Sequence, residues 1–169
     1  MAKLKGKKKL NSAILKELRP FGITSAKLTG EYSYLPSDYG ITFGVELPTE
    51  YEWLMDFIAD RFNYTCDCPF VLLFLHELGH HNTIGAITYE IQRFCDNEKI
   101  RIDEEMSDTN DETEWKKLEY QYFSLPDEIM ATQWAVNYAK AHPRKVRNMA
   151  NRMVASFQEF YTKNGITED

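Results

Sequence analysis

Apolar side chains recur at helical spacing along most of the chain, and this pattern predicts five helices. They cover residues 11–19, 49–62, 70–81, 125–141 and 144–163. An apolar stripe at the same spacing continues beyond the third helix, from Ile84 to Cys95. The third helix begins with the apolar run Phe70 to Leu75, so we expect it to be central and buried.

Period-two alternation predicts a small sheet on the N-terminal side. Tyr32 and Tyr34 alternate in one run, and Ile41, Phe43, Val45 and Leu47 alternate in the next. Turn-forming residues separate the two runs, so a hairpin over 30–47 is the simplest arrangement. Residues 103–114 hold seven acidic side chains in twelve positions, which predicts a solvated loop. The expected fold class is α+β, mostly helical with a small antiparallel N-terminal sheet.

The length of 169 residues suits one domain, which we place at 11–169 after a basic N-terminal arm at 1–10. A hydrophobic fraction of 43% excludes wholesale disorder. The longest apolar run is far shorter than the roughly 18 residues that a membrane span needs. No apolar segment typical of a secretory signal follows the lysines, and three cysteines are too few for a disulfide framework. These features predict a cytoplasmic protein.

The net charge of −6 is unevenly distributed along the chain. Residues 1–30 carry a net charge of +7, residues 31–114 carry −15, and residues 115–169 carry +2. The acidic middle argues against a nucleic-acid surface and favours basic peptides or a basic partner. Only the lysine arm could bind phosphate, and we expect it to be a solvated, frayed terminus.

The motif His76-Glu77-Leu78-Gly79-His80 carries the clearest chemistry. Residues four apart lie on one face of a helix, so both imidazoles can point at one metal ion. Zinc accepts such nitrogen ligands and lowers the pKa of a water molecule toward 7, and Glu77 can take the proton. The motif therefore predicts zinc-dependent hydrolysis of peptide bonds.

A catalytic zinc site needs a third protein ligand. A third histidine six residues after His80 is excluded, because Ala86 occupies that position. Glu128 is the preferred ligand, since it lies in the first turn of a strong helix, where carboxylates are tolerated. The alternatives are Glu90, Asp127 and His142, while His81 points away from His80 around the helix.

Together with the helix Glu128-x-x-Ala131-x-x-Trp134-Ala135, the histidine motif resembles the ImmA/IrrE family of zinc metallopeptidases. These are gluzincin-like proteins, many of them from phages and other bacterial mobile elements. The resemblance covers about residues 68–140 and implies a zincin-like fold. It implies His76, His80 and Glu128 as zinc ligands and Glu77 as the general base.

The resemblance also implies limited cleavage of a specific regulatory protein, such as a repressor, and a sheet edge that could bind an extended peptide. The family often has Asp or Asn directly after the alanine, where it orients a ligand histidine. Thr132 occupies that position here, and its hydroxyl can accept an imidazole N–H.

Several questions stay open at the level of sequence. The oxyanion-stabilising group could be any of Tyr120, Tyr122, Tyr138, His81 and His142. Cys66, Cys68 and Cys95 are expected as thiols near the core, with a structural metal or redox pair as the alternative. The alternative function is a non-enzymatic zinc-binding interaction protein, and a further one is a nucleic-acid-associated factor that uses the lysine arm.

Overall fold

The computed structural model describes residues 4–45, 52–66 and 69–166. The chain divides into two compact units, Met1–Pro48 with Ala139–Asp169 as the first and Thr49–Tyr138 as the second. The described part contains seven α-helices and three strands, which confirms the predicted α+β, mostly helical class. None of these helices is both long and apolar enough to cross a membrane. The single domain over 11–169 stays a prediction.

The first unit combines a three-stranded sheet with two long helices. Its elements are α1 (Lys7–Leu18), β1 (Ser25–Leu28), β2 (Ser33–Leu35), β3 (Gly40–Phe43) and α7 (Pro143–Asn164). The strand order is β1-β3-β2, with β3 parallel to β1 and antiparallel to β2. The buried side chains of α7 follow the predicted apolar face, and Gly165 ends the helix in the left-handed conformation, at φ 63°.

The predicted hairpin is confirmed by β2 and β3, but the sheet is mixed rather than wholly antiparallel. The additional strand, β1, has four residues, and only Ala26 and Leu28 in it are buried. So short an alternation gives no periodic signal, and parallel pairing joins β1 to a strand that is not its neighbour in sequence. Because β3 is central, β2 is an edge strand of the sheet.

Helix α1 begins at Lys7, four residues earlier than predicted, so the basic arm is not wholly a frayed terminus. Leu10 is buried at the start of this helix. Lys9 pairs with Glu159 of α7 at 2.5 Å, and the backbone N–H of Lys5 donates to Asn164. Apolar burial and these contacts with α7 explain why the lysine-rich segment is ordered.

The second unit is helical and contains the candidate site. Its elements are α2 (Glu52–Phe62), α3 (Pro69–Thr83), α4 (Tyr89–Asp108), α5 (Glu112–Phe123) and α6 (Pro126–Ala141), of which α6 extends into the first unit. The apolar run at the start of α3 is buried throughout, as predicted.

The prediction of a loop over 103–114 is wrong, because α4 and α5 occupy most of that segment. Ile102 is buried on α4, so the acids lie on the exposed side of an amphipathic helix. Arg101 pairs with Glu105 at 2.5 Å, and the Asp111 carboxylate caps α5 by accepting two backbone N–H groups. Helical ion pairs and this N-cap offset the repulsion that a high density of acids implies.

Glu119 on α5 is expected to give the second unit a pH-dependent stability. Its side chain is 6% exposed, and burial, opposed by Lys116, raises its pKa from 4.5 to about 7. The folded state therefore keeps a proton that the unfolded chain releases, so stability is lost as pH rises from about 4.5 through 7. We expect Glu119→Gln to be more stable than wild type at pH 8, by about 1–3 kcal/mol, and equally stable near pH 4.5.

Urea unfolding at several pH values measures this difference. Glu114→Gln is the matched control, because Glu114 lies exposed on the same helix and pairs with Lys117. If the free energy of unfolding changed with pH in the same way in wild type and in Glu119→Gln, the pH dependence could not be assigned to Glu119.

Candidate metal centre

Helix α3 places His76, Glu77 and His80 at the site. His76 and Glu77 are 4% and 7% exposed, and His80 is half-buried near the end of the helix. The two imidazole rings lie edge to face with their centroids 4.8 Å apart. Buried polar side chains cost free energy unless they are hydrogen-bonded or bind an ion, so both residues require partners within the fold.

Helix α6 brings Glu128 to the two histidines because α3 and α6 approach each other very closely. The contact is made at Gly79, where an added Cβ would lie only 2.2 Å from the backbone oxygen of Ala131. Only glycine fits this crossing. Glu128 is one turn before Ala131 on α6, and His76 is about one turn before Gly79 on α3, so the crossing brings both ligand-bearing faces together.

The three expected ligand atoms are spaced as a tetrahedral metal ion requires. Nε2 of His76 is 2.9 Å from Oε2 of Glu128 and 3.2 Å from Nε2 of His80, and the His80–Glu128 distance is 3.5 Å. A tetrahedron with zinc–ligand bonds of about 2.0–2.1 Å has edges of about 3.3 Å, which lies within this range. His76, His80 and Glu128 are therefore a group that could hold a metal ion.

The pKa values of Glu128 and His80 depend on each other. Burial favours a high pKa for Glu128, but His80 and a hydrogen bond from His76 hold it well below its usual range. Burial lowers the pKa of His80, and the Glu128 carboxylate outweighs this effect, so the pKa of His80 is raised overall. Glu128 is thus an anionic ligand at neutral pH, as metal binding requires.

Thr132 supports the ring of His76 from the next turn of α6. Its Oγ1 lies 3.0 Å from Nδ1 of His76, and the residue is fully buried. When Nε2 is the metal ligand, Nδ1 carries the proton and donates to this hydroxyl. The Phe123 ring contacts the same imidazole, with centroids 6.0 Å apart. The Thr132 hydroxyl is therefore in position to accept this N–H, and its role in supporting a metal ligand stays a prediction.

Removing the Thr132 hydroxyl is expected to weaken metal binding without abolishing it. In Thr132→Val the shape is kept, but Nδ1 of His76 loses its acceptor, so metal affinity should fall about 10- to 100-fold. Competition with a chelator of known affinity measures the change. Thr162→Val is the control, since Thr162 bonds only a carbonyl of its own helix, α7. Equal affinity in Thr132→Val and wild type would contradict the supporting role.

Glu77, the expected general base, follows the ligand candidate His76 on α3. Its carboxylate contributes to raising the pKa of both His80 and Tyr122, so its charge is close to both groups. Its burial contradicts the simplest structural alternative, in which a glutamate at this position points into solvent.

Lys99 and Asp127 complete the site, and sequence reasoning missed Lys99. Nζ of Lys99 lies 2.5 Å from Oε1 of Glu128 and 2.6 Å from Oδ2 of Asp127. It also lies over the ring of Tyr122, 5.3 Å from the centroid. Burial lowers the pKa of Lys99, but Glu128 and its other partners raise it overall, so the ammonium stays charged.

Three acidic side chains and one lysine lie at the site. Glu77, Asp127 and Glu128 are all buried, and Lys99, with a side chain 21% exposed, contacts two of them. Buried carboxylates cost free energy unless they are paired or bind a metal ion.

Among the described residues, no other candidate ligand belongs to the group that could hold a metal ion, and two of the candidate tyrosines have other partners. Glu90 is exposed at the start of α4, and His142 precedes α7. Tyr120 donates to Asp60, and Tyr138 stacks on Trp134. Cys95 is buried beside Asp127, and Cys66 is half-buried; Cys68 is outside the described residues.

No family model, curated protein or solved structure matches the chain. Its function is therefore inferred from the site itself.

Proposed function

We propose that this chain is a zinc-dependent metallopeptidase, in which His76, His80 and Glu128 hold zinc and Glu77 is the general base. The proposal rests on one observation. Two imidazoles and one carboxylate from two helices come together at zinc-ligand spacing, and His76 and Glu128 are buried. Structural zinc is normally enclosed by four protein ligands. Among the described residues three converge here, which supports a fourth position open to water and substrate.

The donor set favours zinc over magnesium and calcium. Magnesium and calcium prefer oxygen ligands, whereas two imidazoles with one carboxylate suit zinc. When bound, zinc would supply a Lewis acid that polarises the peptide carbonyl and lowers the pKa of water.

The side chains supply the proton transfers and the orientation. Glu77 takes a proton from the attacking water and delivers it to the nitrogen of the departing amine as the C–N bond breaks. Burial, together with the charge of Glu128, raises the pKa of Tyr122, so its phenol stays protonated. Tyr122 is therefore our candidate donor to the developing oxyanion.

The surroundings of the site support a basic substrate. The second unit, residues 49–138, has 19 acidic and 6 basic side chains, a formal net charge of −13. Such a field attracts basic segments. The resemblance to the ImmA/IrrE family supports limited cleavage of a specific regulatory protein, such as a repressor. The small number of cysteines favours the cytoplasm.

Metal removal and replacement test the proposal. Elemental analysis should find about one zinc per chain. A proteome-derived mixture of bacterial and phage proteins is the substrate probe, and mass spectrometry of new N-termini is the readout. Cleavage should disappear with a chelator and return with zinc. One equivalent of zinc without any cleavage would contradict the peptidase and support the alternative, a non-enzymatic zinc-binding interaction protein.

A further inference from the structure

Lys99 reaches the site from α4, a helix that supplies none of the proposed ligands or the base. Its ammonium bridges two successive carboxylates on α6, with Nζ 2.6 Å from Asp127 and 2.5 Å from Glu128. Both carboxylates are buried, so these are charge-assisted contacts with little screening from solvent.

The two oxygens of Glu128 have different partners. Oε2 faces the imidazoles, 2.9 Å from His76 and 3.5 Å from His80. Oε1 accepts from Lys99. One oxygen is therefore directed at the metal position, and the other is held by the ammonium group of Lys99. A metal ion that took the second oxygen as well would leave the ammonium charge close to a dication without this partner.

We propose that Lys99 is a positioning residue that keeps Glu128 a one-oxygen ligand and so preserves an open coordination position. A carboxylate free at both oxygens can bind a metal ion through both. Two-oxygen binding would occupy the position that a catalytic site must leave for water and substrate. Asp127 anchors the ammonium and offsets its charge, so the metal ion still meets the full negative charge of Glu128. This inference rests on the proposed metal site.

Cobalt substitution tests this role without any substrate. Four-coordinate Co²⁺ absorbs visible light intensely, and the absorption weakens when a further ligand atom binds, so the spectrum reports coordination. In Lys99→Met, with Glu128 released, we expect the molar absorbance of the Co²⁺-loaded chain to fall about twofold or more. Lys99→Arg keeps a charged donor and should retain a spectrum close to that of wild type.

Two further variants keep the test decisive. Arg101→Met is the control, because it removes a cation from the same helix that pairs with Glu98 and Glu105 instead. The double variant Lys99→Met/Asp127→Asn removes equal and opposite buried charges, and it should show the same spectral change if the single variant fails to fold.

The possible outcomes separate the two proposals. A wild-type spectrum in folded Lys99→Met, or in the double variant, would overturn the positioning role and leave the metal site intact. A rise in Co²⁺ affinity with an unchanged spectrum would show that Lys99 only neutralises charge. No Co²⁺ binding by the unaltered chain would overturn the metal site and the role of Lys99 with it.

Discussion

Replacing Glu77 by glutamine is expected to abolish peptide cleavage while leaving zinc binding intact. Glutamine has nearly the same shape but cannot accept a proton from water, so the rate should fall about 10²- to 10⁴-fold. His76, His80 and Glu128, which supply the ligand atoms, are unchanged in this variant. Two measurements on the same preparation check this prediction. Cleavage of the proteome-derived mixture tests the loss of activity, and elemental analysis tests the retained zinc.

The matched control for this experiment is Glu90→Gln. Glu90 is exposed in the first turn of α4, so the same chemical change there should leave cleavage and zinc content at wild-type levels. If Glu77→Gln kept full activity, another group would have to be the base. If it lost its zinc as well, Glu77 would be needed for the integrity of the site, and the kinetic loss would say nothing about proton transfer.

Local sequence was sufficient for the part of the site that lies on one helix. The spacing of His76 and His80 places both rings on one face of α3 whatever the rest of the chain does. Glu128 required a second argument, from its place at a helix start and from the resemblance of its helix. The structure then brings its carboxylate to the imidazoles through the close contact of α3 with α6.

Lys99 could not be assigned in the same way, because its role depends on how α4 packs on α6. One signal was present in the sequence. Cys95, Lys99 and Ile102 are spaced four and three residues apart, and the first and last are apolar, so this spacing places the lysine on the apolar side of α4. A lysine on that side needs a buried carboxylate as a partner. Which carboxylate it contacts is decided only by tertiary structure.

The acidic segment 103–114 shows how composition misleads when position is ignored. Seven acids suggested a loop, yet glutamate is a good helix former and repulsion is reduced when acids lie beside cations one turn away. Arg101 pairs with Glu98 and Glu105, and Lys116 pairs with Glu112. The charges therefore mark the exposed faces of two helices and a short break between them.

Replacing Gly79 by alanine is expected to damage both the stability of the second unit and its metal affinity. In an exposed helix this change stabilises by about 1 kcal/mol, because alanine is the better helix former. Here the new Cβ would lie 2.2 Å from the oxygen of Ala131 and 2.7 Å from its carbonyl carbon, so α3 and α6 must separate. Overpacking of this kind costs about 1–3 kcal/mol or more, which outweighs the gain.

Separation of the helices would also move Glu128 away from the histidines, since Ala131 is one turn from Glu128 on α6. Ligand distances of 2.9–3.5 Å leave little room for such a shift, so zinc affinity should fall about 10-fold or more. Urea unfolding of the metal-free chain and chelator competition measure the two effects separately.

Gly85→Ala is the control for Gly79→Ala, because a Cβ at Gly85 meets no atom within 4 Å. The same substitution there should change the unfolding free energy by about 0.5 kcal/mol or less and leave zinc affinity unchanged. A Gly79→Ala variant as stable as wild type and with equal zinc affinity would show that the helices tolerate separation. The close crossing would then not be what places Glu128 at the metal position.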